Sequence, residues 1–316
     1  MKLFLYLHKT SIMLKLNIKS ETSRLKAVVL GTAISNGGTP EYKDAYDPKS
    51  AEHIKAGTYP VEEDMVKEME AVAAVFEKYD VQVFRPKIIE DYNQIFTRDI
   101  AFVIDDKFVK ANILPDRDEE IEAIDHVISQ IDPDKILTMP ESAHIEGGDV
   151  MPYKNYILVG TYKGEDYKSF ITARTNMKGV KALQDLFPNR EVVSFSLRKS
   201  NTVARDNALH LDCCFQPVGK DKAIIYKGGF LIEEEYNWLV NLFGEENLFH
   251  ITRDEMYNMN SNIFSISEDV VISEKNFTRL NTWLREQGIT VEEVPYAEIS
   301  KQEGLLRCST LPLIRE

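Results

Sequence analysis

The stretch Leu209-His210-Leu211-Asp212-Cys213-Cys214-Phe215 is apolar except for one histidine and one carboxylate. This composition predicts a strand, in which side chains two residues apart project from the same face. His210 and Asp212 would then face one space, as a candidate proton-transfer group beside a candidate holder of a cation. Cys213 and Cys214 are predicted to be inert core sulfurs, with Cys214 on the face of Asp212.

Outward from this stretch, groups of short strands are punctuated by single helices. The clearest helix is predicted over Val61 to Tyr79, where Met65, Met69, Val72 and Phe76 are spaced by four, three and four residues. The grouping recurs about five times without a detectable sequence repeat, which favours an α+β fold or a propeller-like α/β arrangement. No linker divides the chain, so residues 24–316 are predicted to form one domain after an N-terminal extension of residues 1–23.

Three further segments have a less regular residue pattern, and each carries its own structural prediction. Asn36 to about Pro60 is a long polar loop, to be understood either as a functional lid or as a plain surface excursion. An acidic helix is predicted from about Asp118 to Ile131. The last strand is predicted over Leu305 to Leu313.

The composition sets limits on partners and location. The net charge of −13 over 316 residues argues against nucleic acid or an anionic membrane and suits a small cationic substrate, although solubility alone is the alternative explanation. Three cysteines, two of them adjacent, form no disulfide framework and predict a reducing cytoplasm. The first residues make a poor signal peptide, and Met13 is an alternative start.

Four other segments place reactive groups in strand or turn contexts. Asp99 follows Phe-Thr-Arg before an apolar run, and Glu146-Gly-Gly-Asp149 has glycines that suit a close backbone approach to a ligand or merely a turn. Arg174 precedes a helix start and could bind a carboxylate. Cys308 follows Arg307, a neighbour that can lower the pKa of a thiol. The segment around His144 lacks the second histidine and the spacing of a zinc site, so no metal is predicted.

A histidine, a candidate thiolate and several carboxylates indicate nucleophilic catalysis. A pair of cysteine and histidine alone would not need three acids. A site that must hold a planar, permanently charged guanidinium with five donors would need them.

In order and spacing, these five motifs resemble the guanidino-group-modifying superfamily of arginine deiminases, dimethylarginine dimethylaminohydrolases and amidinotransferases. The resemblance runs from about residue 24 to the C-terminus. It implies an α/β fold of five ββαβ-type units about a pseudo-fivefold axis, a five-bladed α/β propeller (pentein) with the site at its central channel. We expect an enzyme without cofactor or metal, and a homo-oligomer is left open.

Carried over to this sequence, the resemblance implies Cys308 as nucleophile and His210 as general acid and base. Asp99, Glu146 and Asp212 would hold the guanidinium, with Glu146 also counted as catalytic. Arg174 and Arg117 would take the α-carboxylate of the substrate, which argues against agmatine. Asp149 is the remaining candidate for substrate binding.

The motifs do not all favour the same activity within this superfamily. Glu146 and Asp212 are deiminase-like, whereas Arg174-Thr-Asn and the modest length favour the dimethylarginine hydrolases, and the segment before Cys308 lacks the glycines usual in deiminases. We expect hydrolysis of arginine or a methylated arginine to citrulline with ammonia or an alkylamine, through a covalent thiouronium on the cysteine. The alternatives are amidino transfer to an acceptor amine and, from another class, a catalytically silent binding module on the same fold.

Overall fold

The computed structural model describes residues 13–316. The predictions about a signal peptide and the first start codon concern residues 1–12 and lie outside this range. The described chain is an α/β structure of five separate sheets, each with three strands.

The strands in chain order are β1 (Leu25–Leu30), β2 (Gln82–Phe84), β3 (Ala101–Ile104), β4 (Lys107–Lys110), β5 (Ile136–Thr138), β6 (Val150–Tyr153), β7 (Tyr156–Thr161), β8 (Glu191–Ser196), β9 (Phe215–Val218), β10 (Lys222–Ile225), β11 (Leu248–His250), β12 (Phe264–Ser267), β13 (Val270–Glu274), β14 (Thr290–Val294) and β15 (Thr310–Arg315). The helices are α1 (Pro48–Ala56), α2 (Glu62–Lys78), α3 (Thr97–Ile100), α4 (Glu119–Glu122), α5 (Asp125–Ile128), α6 (Met177–Leu186), α7 (Glu233–Phe243), α8 (Arg253–Tyr257) and α9 (Thr278–Glu286). Short 3₁₀ turns connect several of them.

Every sheet has the same internal order. Its first two strands are antiparallel, and its third strand runs parallel to the second, as in β6-β7-β8 and β12-β13-β14. A parallel return needs a crossover, and a helix precedes each third strand. Five ββαβ units result. In one of them β15 from the C-terminus supplies the first strand and pairs with β1 in antiparallel register, Leu30 opposite Thr310.

The amphipathic helices pack as their periodicity predicts. In α2 the residues Met65, Met69, Val72 and Phe76 are buried, and they join the largest apolar cluster of the molecule. That cluster also takes in side chains from the sheets β6-β7-β8, β9-β10-β11 and β12-β13-β14. The helix predicted over Val61 to Tyr79 is confirmed.

Four structural predictions are wrong in detail. The loop from Asn36 to Pro60 contains α1, which begins at the cap Asp47 and ends at Gly57 in the left-handed region. The single helix from Asp118 to Ile131 is two short helices, α4 and α5. The last strand starts only at Thr310. The segment from His210 to Cys213 is a 3₁₀ turn, with the strand beginning at Phe215, so Cys213 rather than Cys214 contacts the Asp212 carboxylate.

None of the helices within residues 13–316 combines the length and the apolar character that crossing a lipid bilayer would require.

Candidate active site

Arg117 follows β4, and Arg174 follows β7. The other six predicted site residues occupy equivalent places in four of the five units. Each of the six lies in the short segment that leads into the first strand of a unit. They are Asp99 before β3, Glu146 and Asp149 before β6, His210 and Asp212 before β9, and Cys308 before β15. The repeated architecture therefore brings residues that are distant in sequence to one location.

Asp99, His210 and Cys308 line a common cavity of about 240 Å³ together with Arg117 and Arg174. The remaining candidates lie behind this layer. Glu146 contacts His210, and Asp212 contacts Cys308. The structure thus assembles all the predicted catalytic residues and most of the predicted binding residues.

The nucleophile candidate Cys308 is buried, with 2% of its surface exposed. Its Sγ lies 3.6 Å from Oδ2 of Asp212 and 3.2 Å from Nδ2 of Asn262. Burial, then the charges of Asp212 and Asp99, raise the pKa of the Cys308 thiol well above its ordinary value. The prediction that Arg307 lowers this pKa is wrong, because the guanidinium of Arg307 is paired with Glu21 and Asp212 while burial and the two carboxylates dominate at the sulfur.

An ion-pair network joins the N-terminal segment to the nucleophile. Arg307 is fully buried and donates from Nε and Nη2 to the Glu21 carboxylate at 3.0 and 3.1 Å, and from Nη1 to Asp212 at 2.8 Å. It also donates to the carbonyl of Val150 at 2.8 Å. Burial would raise the pKa of Glu21, but the charges of Arg307 and Arg98 lower it to about 2. Glu21 and Asp212 thereby balance the Arg307 cation.

His210 is held between two carboxylates. Its Nε2 donates to Oε2 of Glu146 at 2.7 Å, and its Nδ1 lies 3.8 Å from Oδ1 of Asp99. Burial opposes the charged imidazolium, but the charge of Asp99 and the hydrogen bond that His210 donates to Glu146 outweigh burial and raise the pKa of His210. The Glu146 pKa is lowered: burial would raise it, but the charge of Arg174 and the bond to His210 prevail. The pair is therefore poised as imidazolium and carboxylate.

The glycine pair lies in a 3₁₀ turn, as one of the two explanations predicted, and its backbone lies close to protein groups; close approach to a ligand stays a prediction. A Cβ added to Gly148 would lie 2.6 Å from Cγ of the His210 ring, and one added to Gly147 would lie 2.1 Å from the Arg98 carbonyl oxygen. Contacts below 3.0 Å force a displacement. The glycines thus allow the backbone to lie directly against the imidazole.

The two arginines of the cavity are already paired. Arg117 binds Glu120 through Nε at 2.7 Å and Nη2 at 3.0 Å, and its Nη1 donates to Oδ2 of Asp99 at 2.9 Å. Arg174 donates to Glu146 at 3.1 Å and to the carbonyl of Tyr46 at 2.8 Å. Their role as binders of the substrate carboxylate stays a prediction.

Asp99 keeps one oxygen for a ligand. Its Oδ1 is buried and has no hydrogen-bond partner among residues 13–316. A buried acceptor without a partner costs stability, and this one belongs to a side chain that lines the cavity. A donor-rich ligand such as a guanidinium would satisfy it.

Asp149 has a different setting from the other candidates. It is fully buried, does not line the cavity, and accepts a hydrogen bond from the backbone N–H of Leu211 at 2.8 Å. This contact fixes the turn that carries His210 and Asp212. Contact between Asp149 and the substrate stays a prediction. The observed contacts of Asp149 do not support it.

Three of the site residues could also hold a metal ion by distance alone. Asp99, Glu146 and His210 offer ligand atoms within 4.8 Å of one another. However, Arg117 and Arg174 already pair with the two carboxylates. These three residues therefore suit a cation that forms hydrogen bonds better than a metal ion, whose charge is concentrated on one atom.

The segment that connects β1 to α2 lines the cavity. Asn36, Tyr46, Asp47 and Tyr59 all line it, and Arg174 holds the carbonyl of Tyr46. Of the two explanations offered for the polar loop, a cover for the site fits these contacts.

Sequence reasoning missed Asn262, Glu120 and Glu21. Asn262 Oδ1 accepts hydrogen bonds from the backbone N–H groups of Arg307 at 3.0 Å and Cys308 at 3.1 Å, which turns its Nδ2 toward the sulfur. It lies just before β12, the place that the other site residues occupy in their units. Four of the five units had a predicted site residue in this place, so the empty place in the fifth unit was the signal that could have revealed Asn262. Glu21 lies outside every such segment and offered no signal.

Comparison with known proteins places the chain among guanidine-modifying enzymes. The family model described as "N,N dimethylarginine dimethylhydrolase, eukaryotic" matches residues 43–315. The chain is 31% identical over 225 residues to the uncharacterized protein YkgA of Bacillus subtilis, covering 70% of each chain. It is 26% identical over 207 residues to an arginine deiminase of Latilactobacillus sakei, covering 54% of this chain and 47% of that enzyme.

Solved structures share the fold at low identity. The N-terminal domain of ArgZ bound to product, an arginine dihydrolase from the ornithine–ammonia cycle in cyanobacteria, superposes with a TM-score of 0.75 at 18% identity, covering 92% of this chain and 97% of the other. The inosamine-phosphate amidinotransferase of Streptomyces griseus gives 0.73 at 15% identity, covering 95% and 97%. By the extent of the family match, this chain belongs to the dimethylarginine dimethylhydrolase family, within the superfamily of enzymes that modify guanidino groups.

Proposed function

We propose that the chain hydrolyses the guanidinium group of arginine or a methylated arginine to citrulline, with release of ammonia or an alkylamine. One observation carries this proposal. A buried cysteine, a histidine and a carboxylate with a free oxygen, namely Cys308, His210 and Asp99, line one cavity. Three of the proteins named above, the arginine deiminase, the arginine dihydrolase and the amidinotransferase, act on arginine or on amidino groups by their names.

Because the pKa of the Cys308 thiol is raised, the substrate itself would have to promote formation of the nucleophile. The thiol stays protonated in the free site because burial and the Asp212 and Asp99 charges disfavour the thiolate. A bound guanidinium would bring a positive charge beside the same two carboxylates and so favour the thiolate. The nucleophile would therefore form chiefly when substrate is present, and the thiol would then release its proton to solvent.

The reaction then follows from the charge states of the side chains. The Cys308 thiolate attacks the guanidinium carbon, and the His210 imidazolium gives its proton to the departing amine, which leaves a thiouronium on sulfur. Neutral His210 next takes a proton from water, whose oxygen attacks the same carbon. The C–S bond then breaks, the hydroxyl proton of the adduct passes to the departing Cys308 sulfur, and the citrulline ureido group leaves. Asp99, Asp212 and Glu146 orient the cation throughout.

The finer structural expectations belong to the same proposal. The five ββαβ units would surround a pseudo-fivefold axis as a single propeller domain over residues 24–316, with the cavity at its centre. Cys213, Cys214 and Cys308 are all free thiols, which supports a cytoplasmic location.

The second candidate is amidino transfer, favoured by the likeness to the Streptomyces amidinotransferase. There an amine rather than water would attack the thiouronium. The direct test is a citrulline assay with arginine and its methylated forms, with and without added glycine or ornithine. Citrulline formation that is independent of the amine and lost in Cys308→Ala supports hydrolysis. Turnover that requires the amine and yields no citrulline would replace it by transfer.

A silent binding module is the remaining alternative. Thiol labelling separates it cheaply, because such a module has no reason to protect Cys308. Labelling of Cys308 that substrate does not slow, together with no turnover of any guanidine, would favour the silent module.

A further inference from the structure

Lys199 is a half-buried basic residue to which the proposed reaction assigns no role. It follows β8, and its Nζ donates to the carbonyl oxygen of Leu209 at 2.5 Å. The backbone N–H of Ala208 donates to the carbonyl of Arg198 at 2.8 Å, which keeps the two segments side by side. Lys199 therefore binds the peptide group that leads into His210.

Asp149 binds the peptide group on the other side of His210. It is fully buried, and its Oδ1 accepts a hydrogen bond from the backbone N–H of Leu211 at 2.8 Å. Asp149 leads into β6 and Lys199 follows β8, so both belong to the unit that precedes the one His210 enters. Two side chains of opposite charge thus fix the backbone from which the imidazole projects.

Three carboxylates surround the imidazole electrostatically. Burial disfavours the imidazolium of His210, and these carboxylates act against burial to raise its pKa; they are Asp99, Glu146 and Asp149. The first two are paired with Arg117 and Arg174 respectively. Asp149 has no direct salt bridge within residues 13–316, but the charge of Lys199 acts on it. Each of the three carboxylates therefore has a basic residue of its own.

Lys199 and Asp149 stabilise the charged form of each other. Burial raises the pKa of Asp149, and the charges of Lys199 and then His210 oppose that rise. Burial lowers the pKa of Lys199, and the charge of Asp149 opposes that fall. The other titratable groups that act on Lys199 are Cys213, Arg174 and Cys214. Removal of either charge would shift the remaining one toward its neutral form.

We propose that Lys199 and Asp149 are positioning residues for His210, which hold its backbone on both sides and keep a negative charge near its ring. This inference rests on the proposed function, in which His210 gives a proton to the departing amine. That step needs an imidazole that is both oriented toward the substrate and protonated. Neither Lys199 nor Asp149 lines the cavity, so they would act through His210 rather than on the substrate.

The kinetic test removes each charge and keeps the size of the side chain. Lys199→Met loses the ammonium, and Asp149→Asn loses the charge but keeps an acceptor for Leu211. We expect kcat to fall about 10- to 100-fold in each variant, with KM within about twofold of the wild type, because the chemical step is affected and substrate binding is not. Lys199→Arg keeps the charge and should restore kcat to within about fivefold of the wild type.

Titration of the His210 ring by NMR is a readout that a merely structural role would not move. The Cε1–H signal of His210 is identified by its absence in His210→Ala. In Asp149→Asn the pKa of His210 should fall by about 1, because a negative charge that favours the imidazolium is lost. In Lys199→Met it should fall in the same direction, because Asp149 then takes up a proton. The double variant should titrate as Asp149→Asn does, since Lys199 acts through the charge of Asp149.

Lys222→Met is the matched control. Lys222 is also half-buried, on β10, and its Nζ donates to Asn247, away from the site. This variant should keep the wild-type kcat and the wild-type titration of His210. If Lys199→Met does not fold, Asp149→Asn takes its place in both measurements.

The outcomes separate this inference from the function on which it rests. No turnover of any guanidine by the wild type would contradict the proposed function, while the NMR titration, which needs no substrate, would still test the effect on His210. Turnover with wild-type kcat and an unchanged His210 pKa in both variants would overturn the positioning role alone. A raised KM with unchanged kcat in Asp149→Asn would also overturn it, because Asp149 would then bind the substrate.

Discussion

The side-chain amide of Asn262 contacts Cys308 through both of its ends. Oδ1 accepts a hydrogen bond from the backbone N–H of Cys308 at 3.1 Å, and Nδ2 lies 3.2 Å from its Sγ. A donor in this position favours the thiolate over the thiol, against the effects of burial and Asp212. Asn262 is therefore a direct partner of the reacting sulfur.

Replacing Asn262 should slow the reaction at the chemical step. We expect Asn262→Ala to lower kcat by ~10- to 100-fold, because a hydrogen bond to a charged group is lost. Iodoacetamide alkylation of Cys308 followed over pH should give a higher thiol pKa. Asn262→Asp keeps the acceptor for the backbone and loses the donor, so it should raise the thiol pKa further. An unchanged alkylation profile in both variants would contradict this role.

The ionisation of Glu21 should make the free energy of unfolding depend on pH. Its pKa in the folded chain is about 2 against an ordinary 4.5, so its contribution is complete above pH 4.5 and is lost as pH falls toward 2. The shift corresponds to about 3 kcal/mol of unfolding free energy. Glu21→Gln should be destabilised at pH 7, since Arg307 loses a buried partner, and the gap to the wild type should close on acidification.

Urea unfolding at a series of pH values measures this effect. Glu165→Gln, which removes an exposed carboxylate, is the control and should follow the wild type. A gap between Glu21→Gln and the wild type that stays constant from pH 7 to pH 3 would show that the charge of Glu21 is not what stabilises Arg307.

Gly148 should be intolerant of any side chain. Its added Cβ would lie 2.6 Å from the His210 ring, so Gly148→Ala must displace the imidazole from Glu146. We expect kcat to fall ~100-fold or more, as for a misplaced catalytic group. Gly228→Ala meets the half-buried Tyr226 ring at 2.5 Å, where the ring can move, and should leave kcat near that of the wild type. Equal activities of the two variants would mean that His210 is not held in this way.

The regular helices and most strands were predictable because their apolar residues follow one period. The helix α1 was missed because its buried residues are Pro48, Lys49 and Ser50, which form no apolar stripe. The segment from His210 to Cys213 is buried on every side, so its apolar residues could not distinguish a strand from a turn.

The site residues also divide into those that the sequence could reveal and those that it could not. Cys308, His210 and the acidic motifs stood out because reactive or charged groups are rare in apolar segments. Asn262 is chemically ordinary, and only its place before β12 marks it. Glu21 is separated from Arg307 by 286 residues, and no local pattern reports a contact over that distance. The direction of the Cys308 pKa shift also required the structure, because the charge of the adjacent Arg307 is balanced by Glu21 and Asp212.

The central claim is that Cys308 becomes covalently bonded to the guanidino carbon during turnover. The direct measurement is mass spectrometry of enzyme quenched in acid during turnover of arginine or a methylated arginine. We predict an adduct on the Cys308 peptide equal in mass to the substrate less its departing amine, absent in Cys308→Ala and accumulating in His210→Ala if water activation is slowed. Full turnover by Cys308→Ala, or an adduct on Cys213 or Cys214 instead, would contradict the account.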